Sequence, residues 1–373
     1  MRALSSTQAL PDDCAVVDTA WLRRNLEGDV RIFDARGSAG GLELEEGEDG
    51  AGGAAGAGPH PTALTADYDA YLEGHVPGAV FVNWTRDGAR YLDGGGEEEG
   101  VEEEPMEEAS QQSGGGWRRR LPRPRDCGGG RRPLVAESDP DTYVPCFEAR
   151  GLSAEQPVMV YDDGRSMTAA RVWWSLLLFG HPQPCLLAGG WDEWRAGGGG
   201  SELYEPCPLK LSTTFEAEPQ PQYRACAAEF VAAAAEQGAS AAAAGSRPVA
   251  VLLLPEGWHR DAAGPLPPGL RTVSLSELVP APGSPPAEGA GGAGARLLAE
   301  AAAVAMAAEG PRRELQRALR VRLGGALGLP ELGDGVGARV SLASPHDASA
   351  SACVLGAVLR AAGHNDWAVC DSL

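Results

Sequence analysis

No CxxC pair occurs among the eight cysteines of this 373-residue chain, and no two of them stand close together. That excludes a disulfide framework and a zinc module of ordinary spacing. The six histidines form no HxH or HxxxH pair, and His60, His259 and His346 lie far apart, so no metal centre is expected. A Walker A loop and a GxGxxG helix start are both missing, and no cofactor is expected. No run is long and apolar enough to cross a membrane, and no secretory leader opens the chain. Free thiols without a leader read as an intracellular protein of the cytoplasm or the mitochondrion. MRALSSTQAL at the start reads as an ordinary chain end. Clustered cations of the kind that phosphate binding needs do not dominate the chain, whose net charge is −21, so nucleic acid is not the expected partner.

Most of the acidity is local. Residues 43–49 carry five acids and residues 93–108 carry nine, with no Lys or Arg in either stretch; without those fourteen the balance is about −7, ordinary for a soluble body. Residues 37–58, of Gly, Ala and Glu, and residues 93–132, acidic and then Arg-rich, read as disordered inserts that self-neutralise. Residues 195–201 and 281–295, rich in Gly or Pro, read as mobile loops. The remaining length fits two domains with two cores. The expected map is a first domain over 14–196, a linker over 197–221 and a second domain over 222–373.

Short apolar runs alternate with helical segments. Val30 to Phe33, Ala79 to Val82, Val158 to Tyr161 and Cys185 to Leu187 read as strands, with a helix over Asp139 to Arg150. Such alternation means α/β units, each a parallel sheet buried by helices on both faces. In the second half, Tyr223 to Glu236, Leu297 to Glu309 and Arg312 to Ala326 read as helices. Leu252 to Leu254, Arg339 to Leu342 and Trp367 to Cys370 read as strands, the middle one weakened by an Arg and a Ser.

The stretch YDDGRSMTAARVWWSLLLFG, from Tyr161 to Gly180, runs from a buried strand through a polar loop into an apolar helix. Backbone N–H groups at such a junction can cradle an anion. Asp163, Gly164, Arg165, Ser166 and Thr168 are the candidate binding residues. A second such layout, SPHDASASACVLGAVLRAAGH, sets His346 opposite Asp163 when Ser351 is aligned with Thr168. Asp34 and Arg36 read either as a pair between domains or as a cap on the strand end. Arg171 reads as paired within its own domain, His75 as a turn brace, and Arg165 as an exposed loop residue.

Several motifs in order carry a family resemblance: VVDTAWLRRNL, VRIFDARG, GHVPGAVFVNW, YDDGRSMTAARVWW, FGH and GGWDEW in the first half, and RPVAVLLL and GPLPPGLRTVSLSELV in the second. The chain resembles the tandem rhodaneses, the thiosulfate and 3-mercaptopyruvate sulfurtransferases, over roughly residues 14–373 without the inserts. The resemblance implies two rhodanese-like domains, the second degraded and short at its C-terminal end, since the family continues through a covering helix beyond the position of Leu373. It also implies sulfur transfer through a cysteine that opens the second loop in a Cys-Gly-Ser-Gly-Val-Thr-Ala pattern. Here that loop reads His346, Asp347, Ala348, Ser349, Ala350, Ser351, Ala352. His346 holds the nucleophile's place, with Asp347, Ser349 and Ser351 beside it, and Asp163 holds the first loop's place.

Two functions follow. One is a catalytically impaired, sulfurtransferase-like module that binds a small sulfur-containing anion or a protein partner. The other is an active sulfurtransferase working through another cysteine, Cys370 at a strand end or Cys353. Cys353 reads better as a buried core thiol. The insert composition makes one prediction. Limited proteolysis cuts between Gly94 and Arg132 before it cuts anywhere in Val158 to Trp194; earlier cleavage in the second stretch contradicts the map.

Overall fold

The computed structural model describes residue 10 and residues 14–39, 42–43, 60–61, 64–91, 134–137, 139–203, 213–239, 248–255, 266, 270–279, 292–328 and 338–373. In chain order the first half runs β1 (Val16–Val17), α1 (Thr19–Asn25), β2 (Arg31–Asp34), β3 (Gly37–Ser38), β4 (Leu42–Glu43), β5 (His60–Pro61), β6 (Thr65–Ala66), α2 (Tyr68–Glu73), β7 (Ala79–Phe81), β8 (Ala89–Tyr91), β9 (Leu134–Ala136), α3 (Pro140–Glu148), β10 (Val158–Tyr161), α4 (Thr168–Leu178), β11 (Pro184–Leu187) and α5 (Gly190–Ala196). The second half adds α6 (Ala227–Ala239), β12 (Val249–Leu254), β13 (Arg271–Ser274), α7 (Leu275–Leu278), α8 (Ala293–Met306), α9 (Glu309–Leu327), β14 (Val340–Ala343), α10 (Ala350–Ala361) and β15 (Trp367–Val369).

Five parallel strands form the first sheet in the order β1-β11-β10-β2-β7. The second sheet is parallel in the order β13-β12-β14-β15. Beyond β15 a single parallel bridge joins Arg224 to Val369, in the place that β1 takes beside β11. The two sheets thus share one strand order, and the edge strand of the second is reduced to one residue pair. Parallel strands are covered on both faces, which is why β10 reads VMVY and every one of its residues is buried. β14 is equally buried, because Arg339 falls just outside it and Ser341 is 3% exposed. Both central helices end alike: Gly180 and Gly363 take φ +83° and +81°, and His181 and His364 follow them into the interior. A left-handed glycine closes a helix without a Cβ clash.

Each half has an apolar cluster of its own, around Trp21 and Tyr161 in the first and around Phe230 and Leu254 in the second. One apolar cluster runs through both halves, from Phe33, Tyr143 and Trp173 to Val251, Leu297 and Trp367. α4 is buried on every side because it lies between its own sheet and α10. Trp173 stacks on Trp367 with centroids 6.0 Å apart, and the Trp174 indole N–H donates to the Tyr223 carbonyl at 2.9 Å.

Arg171 is corrected: its partner lies in the other half. Its guanidinium donates to Asp371 Oδ2 at 3.3 Å and to the Leu134 carbonyl at 3.1 Å, and stacks on Trp174 at 4.7 Å. Asp371 also accepts from the Ala136 N–H at 2.7 Å and from Arg224 at 3.0 Å. Both side chains of the Arg171–Asp371 pair are at most 2% exposed. No sequence spacing announces a pair across 200 residues.

Three stretches expected to be loose are ordered where described. Gly37 and Ser38 pair with Ala66 and Thr65, and Ala39 enters the core; the rest of the expected insert 37–58 lies outside the described residues apart from Leu42–Glu43, which pairs with His60–Pro61. Residues 195–201 close α5 and fold onto Trp194, whose indole donates to the Gly200 carbonyl at 2.8 Å. Of 281–295, residues 292–295 are described and open α8. The expected insert 93–132 lies outside the described residues. Of the linker expected over 197–221, residues 197–203 and 213–221 are described; Phe215 is buried, with its N–H on Glu148 Oε1 of the first half at 2.7 Å. Among the described residues no helix is long and apolar enough to cross a membrane.

Removing one partner of a buried pair leaves an uncompensated charge. Asp371→Ala is therefore expected to lower unfolding free energy by about 3–5 kcal/mol in urea titrations. A loss below about 1 kcal/mol, the size of an exposed pair, would contradict this reading of the junction.

Candidate functional site

Two strand-to-helix loops, Asp162–Met167 and Ser344–Ser349, meet at the junction of the halves. Met167 Sδ stands 4.0 Å from Ser351 Oγ. Between and above them lies a cleft of about 550 Å³. Asp163, Arg165, Ser166 and Met167 line it from the first loop, and His346, Asp347 and Ser351 from the second. Ser38 and Ala39, the start of α7 and the N-terminus of α8 complete the wall.

Three N–H groups of the first loop, and one in the first turn of α4, are taken by the loop's own carboxylates. Gly164 and Ala169 donate to the two oxygens of Asp162, at 2.7 and 3.0 Å. Arg165 and Ser166 both donate to Asp163 Oδ1 at 2.7 Å. The Arg165 side chain reaches outward to Asp192 at 2.6 Å. Gly164 sits at φ +97°, and a Cβ there would come within 2.3 Å of the Gly189 carbonyl, so the loop accepts no other residue without moving. Thr168, a candidate binding residue, is wholly buried; its hydroxyl donates to the Ala35 carbonyl at 2.6 Å and it lines no part of the cleft. Gly164 likewise faces the backbone of α5 and not the cleft.

The second loop repeats the arrangement with other residues. Asp347 Oδ2 accepts the Ser351 N–H at 3.0 Å and the Ser351 hydroxyl as well. Ser344 Oγ accepts the Ala352 N–H at 3.0 Å. His346 Nε2 lies 3.6 Å from the same Asp347 oxygen. Ser349 is buried, its N–H on the Ser344 carbonyl at 2.9 Å. Because Ser351 and His346 both turn to Asp347, no serine–histidine hydrogen bond of a hydrolytic triad is present. The negative side chain occupies the helix N-terminus, where an anion would otherwise be favoured.

Residues 136–197 match the family of rhodanese-like domains. The chain carries a rhodanese-like domain. The putative thiosulfate sulfurtransferase SseB of Mycobacterium tuberculosis is 30% identical over 139 residues, which cover 37% of this chain and 36% of that protein. Thiosulfate/3-mercaptopyruvate sulfurtransferase 2 of Arabidopsis thaliana is 39% identical over 79 residues, 21% of this chain and 23% of that protein. The chain thus spans about a third or less of the length of these relatives. Among solved structures, the 3-mercaptopyruvate sulfotransferase SseA of Escherichia coli superposes with a TM-score of 0.54 over 96% of this chain and 98% of that one, at 16% identity. At that identity what is shared is the rhodanese fold. Residues 136–197 thus carry the likeness to rhodanese-like domains, and over part of its length the chain is homologous to thiosulfate/3-mercaptopyruvate sulfurtransferases.

Against rhodanese chemistry the second loop has a further departure, which the sequence did not reveal. From the strand start at Val158 or Val340 to the closing glycine, Gly180 or Gly363, the second unit is one residue longer. The second loop carries two successive residues of positive φ, Ala348 at +50° and Ser349 at +68°, where the two of the first loop, Gly164 at +97° and Met167 at +61°, stand apart. Counted from the strand, Pro345 stands opposite Asp163; counted from the helix, His346 does. Neither position supplies sulfur.

The substitute cysteines are inward. Cys353 is wholly buried on α10, and burial pushes its thiol well up. Cys370 is 1% exposed, packs with Ala225, Phe230 and Leu252 under α6, and is likewise pushed up by burial. It does not line the cleft, so the structure does not bring it to His346. Asp34 and Arg36 form a buried pair at 2.7 Å within the first half, braced by the Tyr161 hydroxyl and the Gly74 carbonyl. Among the described residues no group of three ligating side chains could hold a metal ion.

Asp162 was not singled out from the sequence, although the Asp162-Asp163 doublet was visible. Burial, and then the neighbouring Asp163 charge, raises its pKa from 3.8 to about 6. The folded protein therefore binds the extra proton, and this contribution is full below pH 3.8 and lost as pH rises through 6. Relative to Asp162→Asn, which cannot ionise, the wild type is expected to lose up to about 3 kcal/mol between pH 4 and pH 7. Denaturation curves of the two proteins that stay parallel over that range would refute it.

Proposed function

We propose that this sulfurtransferase-like protein is catalytically impaired in sulfur transfer from thiosulfate or 3-mercaptopyruvate and acts as a binding module through the cleft between its two halves. One observation carries the reading: at both loop-to-helix junctions carboxylates of the chain itself accept backbone N–H groups, Asp163 those of Arg165 and Ser166, Asp162 that of Ala169 on α4, and Asp347 that of Ser351 on α10. A thiolate at either loop would need those N–H groups. The same occupancy argues against the small sulfur-containing anion as ligand. Asp163 and Asp347 line the cleft, and its cation Arg165 is engaged by Asp192. A neutral or cationic group of a small molecule or a protein partner fits that wall better. The reading with Cys370 as the loop nucleophile lacks support, since its sulfur is buried under α6.

Purified protein is expected to form no thiocyanate from cyanide with thiosulfate or 3-mercaptopyruvate. His346→Cys alone is expected to leave that unchanged, because Asp347 still occupies the helix start. His346→Cys with Asp347→Gly is expected to raise turnover at least tenfold above the single variant, about 1.4 kcal/mol of barrier. Robust turnover by the wild type, or by His346→Cys alone, would overturn the assignment.

A further inference from the structure

A second pocket, of about 420 Å³, opens on the first half beside the cleft. That volume is within the roughly 300–1,000 Å³ of small-ligand sites. Arg36, Asp67, Glu73, Trp191 and Arg195 line it and not the cleft, while Asp163 lines both. Arg36 follows β2, Asp163 follows β10 and Trp191 follows β11, so the pocket sits at the carboxyl ends of three neighbouring parallel strands. Open α/β sheets take their ligands at that edge.

Arg36 is the preorganised part of the pocket. It is 5% exposed, whereas Asp67, Glu73 and Arg195 are exposed, so the guanidinium forms the deep end and the others the rim. Its Nε and Nη2 donate to the Asp34 carboxylate at 3.0 and 2.7 Å, Nη2 also donates to the Gly74 carbonyl at 2.7 Å, and its central carbon lies 5.0 Å from the Trp191 ring centroid. Nη1 has no hydrogen-bond partner among the described residues. A shielded donor without an acceptor costs free energy that a ligand oxygen would recover. Asp34 compensates the arginine's charge, so the deep end offers a fixed N–H donor rather than a free cation.

The remaining charge is mostly negative. Asp67, Glu73 and the half-buried Asp163 form no ion pair among the described residues, and the one uncompensated cation facing them is Arg195, stacked on Trp191 at 5.4 Å. Two of these carboxylates are tied to Arg36 through the backbone. The Asp67 N–H donates to the Arg36 carbonyl at 2.9 Å, and Glu73 directly precedes Gly74. Among the described residues no three ligating side chains converge closely enough for a metal ion. An organic cation with an acceptor oxygen next to its charge matches both the carboxylate rim and the donor beneath it.

We propose that this pocket binds an ammonium group adjacent to a carbonyl oxygen, the α-amino carbonyl head of an amino-acid amide or of a peptide N-terminus. The ammonium lies among Asp67, Glu73 and Asp163, and the carbonyl oxygen accepts from Arg36 Nη1. Asp67 and Glu73 take no part in the cleft, so the site stands whether or not the cleft binds a ligand.

The test is calorimetric titration of the full chain with L-alaninamide, beside N-acetyl-L-alaninamide, which keeps a carbonyl and loses the charge. L-Alaninamide is expected to bind saturably, and the acetylated compound to bind weaker by about tenfold or more. The double variant Asp67→Asn with Glu73→Gln removes two rim charges at exposed positions. Asp67 caps α2 through the Ala70 N–H at 2.9 Å, a bond that Asn also accepts, so the variant is expected to keep the wild-type circular dichroism. Its affinity for L-alaninamide is expected to fall by about tenfold or more. Tri-L-alanine amide separates the two sources: tighter binding than L-alaninamide supports a chain N-terminus, and equal binding supports a small amide. Absence of saturable binding of both amides, equal binding of the acetylated compound, or unchanged affinity in the folded double variant would each overturn the proposal.

Discussion

The Arg171–Asp371 pair joins the two halves, and the geometry of the cleft depends on it. Arg171 projects from the first turn of α4; Asp371 follows β15, the strand beside β14. α4 and α10 each begin at one of the two loops, so fixing one helix against the other fixes the loops as well. Charges removed from water cost several kcal/mol each unless partnered. Asp371 is partnered by Arg171, by Arg224 and by the Ala136 N–H, which ties β9 into the same knot. The stacked Trp173 and Trp367 and the continuous apolar cluster then hold what the polar contact orients. The shared cluster packs the two halves against each other beneath the cleft.

Electrostatics at the helix starts decides what that cleft can do. The same N–H groups can hold a substrate anion, a cysteine thiolate or a carboxylate of the chain. Here carboxylates have several of them. Asp162 and Asp163 accept four N–H groups between Gly164 and Ala169, and Asp347 accepts that of Ser351, with Ser344 Oγ accepting that of Ala352. This arrangement is locally stable and chemically quiet. It also explains how the second loop tolerates two successive left-handed residues, each of which costs energy away from glycine. Two side chains that precede them, Ser344 and Asp347, accept N–H groups of the helix that follows.

Much of the first half was legible because its signals are local. The run VMVY has the length and composition of a doubly covered strand, and GRSMTAARVWW opens a helix whose apolar residues extend all round it. The alternation of strand and helix and the rhodanese resemblance follow from such stretches. What escaped reading is non-local. Arg171 finds its carboxylate two hundred positions away, and its own half offered nearer acids. The Gly-rich segment after α5 reads as loose by composition, yet its glycines allow the backbone to close over the Trp194 ring, which would clash with a Cβ at Gly199. In the second loop the extra residue is hidden because the helix end, with its glycine and histidine, aligns perfectly well without it. Thr168 and Gly164 show the limit from the other side: both stand in the motif, but one hydroxyl turns to Ala35 and one glycine packs against Gly189.

The occupied helix starts are the centre of the account, and anion binding reports on them directly. Calorimetric titration of the wild-type protein with thiosulfate, beside Asp347→Ala, is the decisive measurement. With the carboxylates in place, no saturable binding is expected at millimolar thiosulfate, and binding is expected to emerge when Asp347 is removed. Saturable thiosulfate binding by the wild type, unchanged in Asp347→Ala, would contradict the claim that the chain's own carboxylate holds that site.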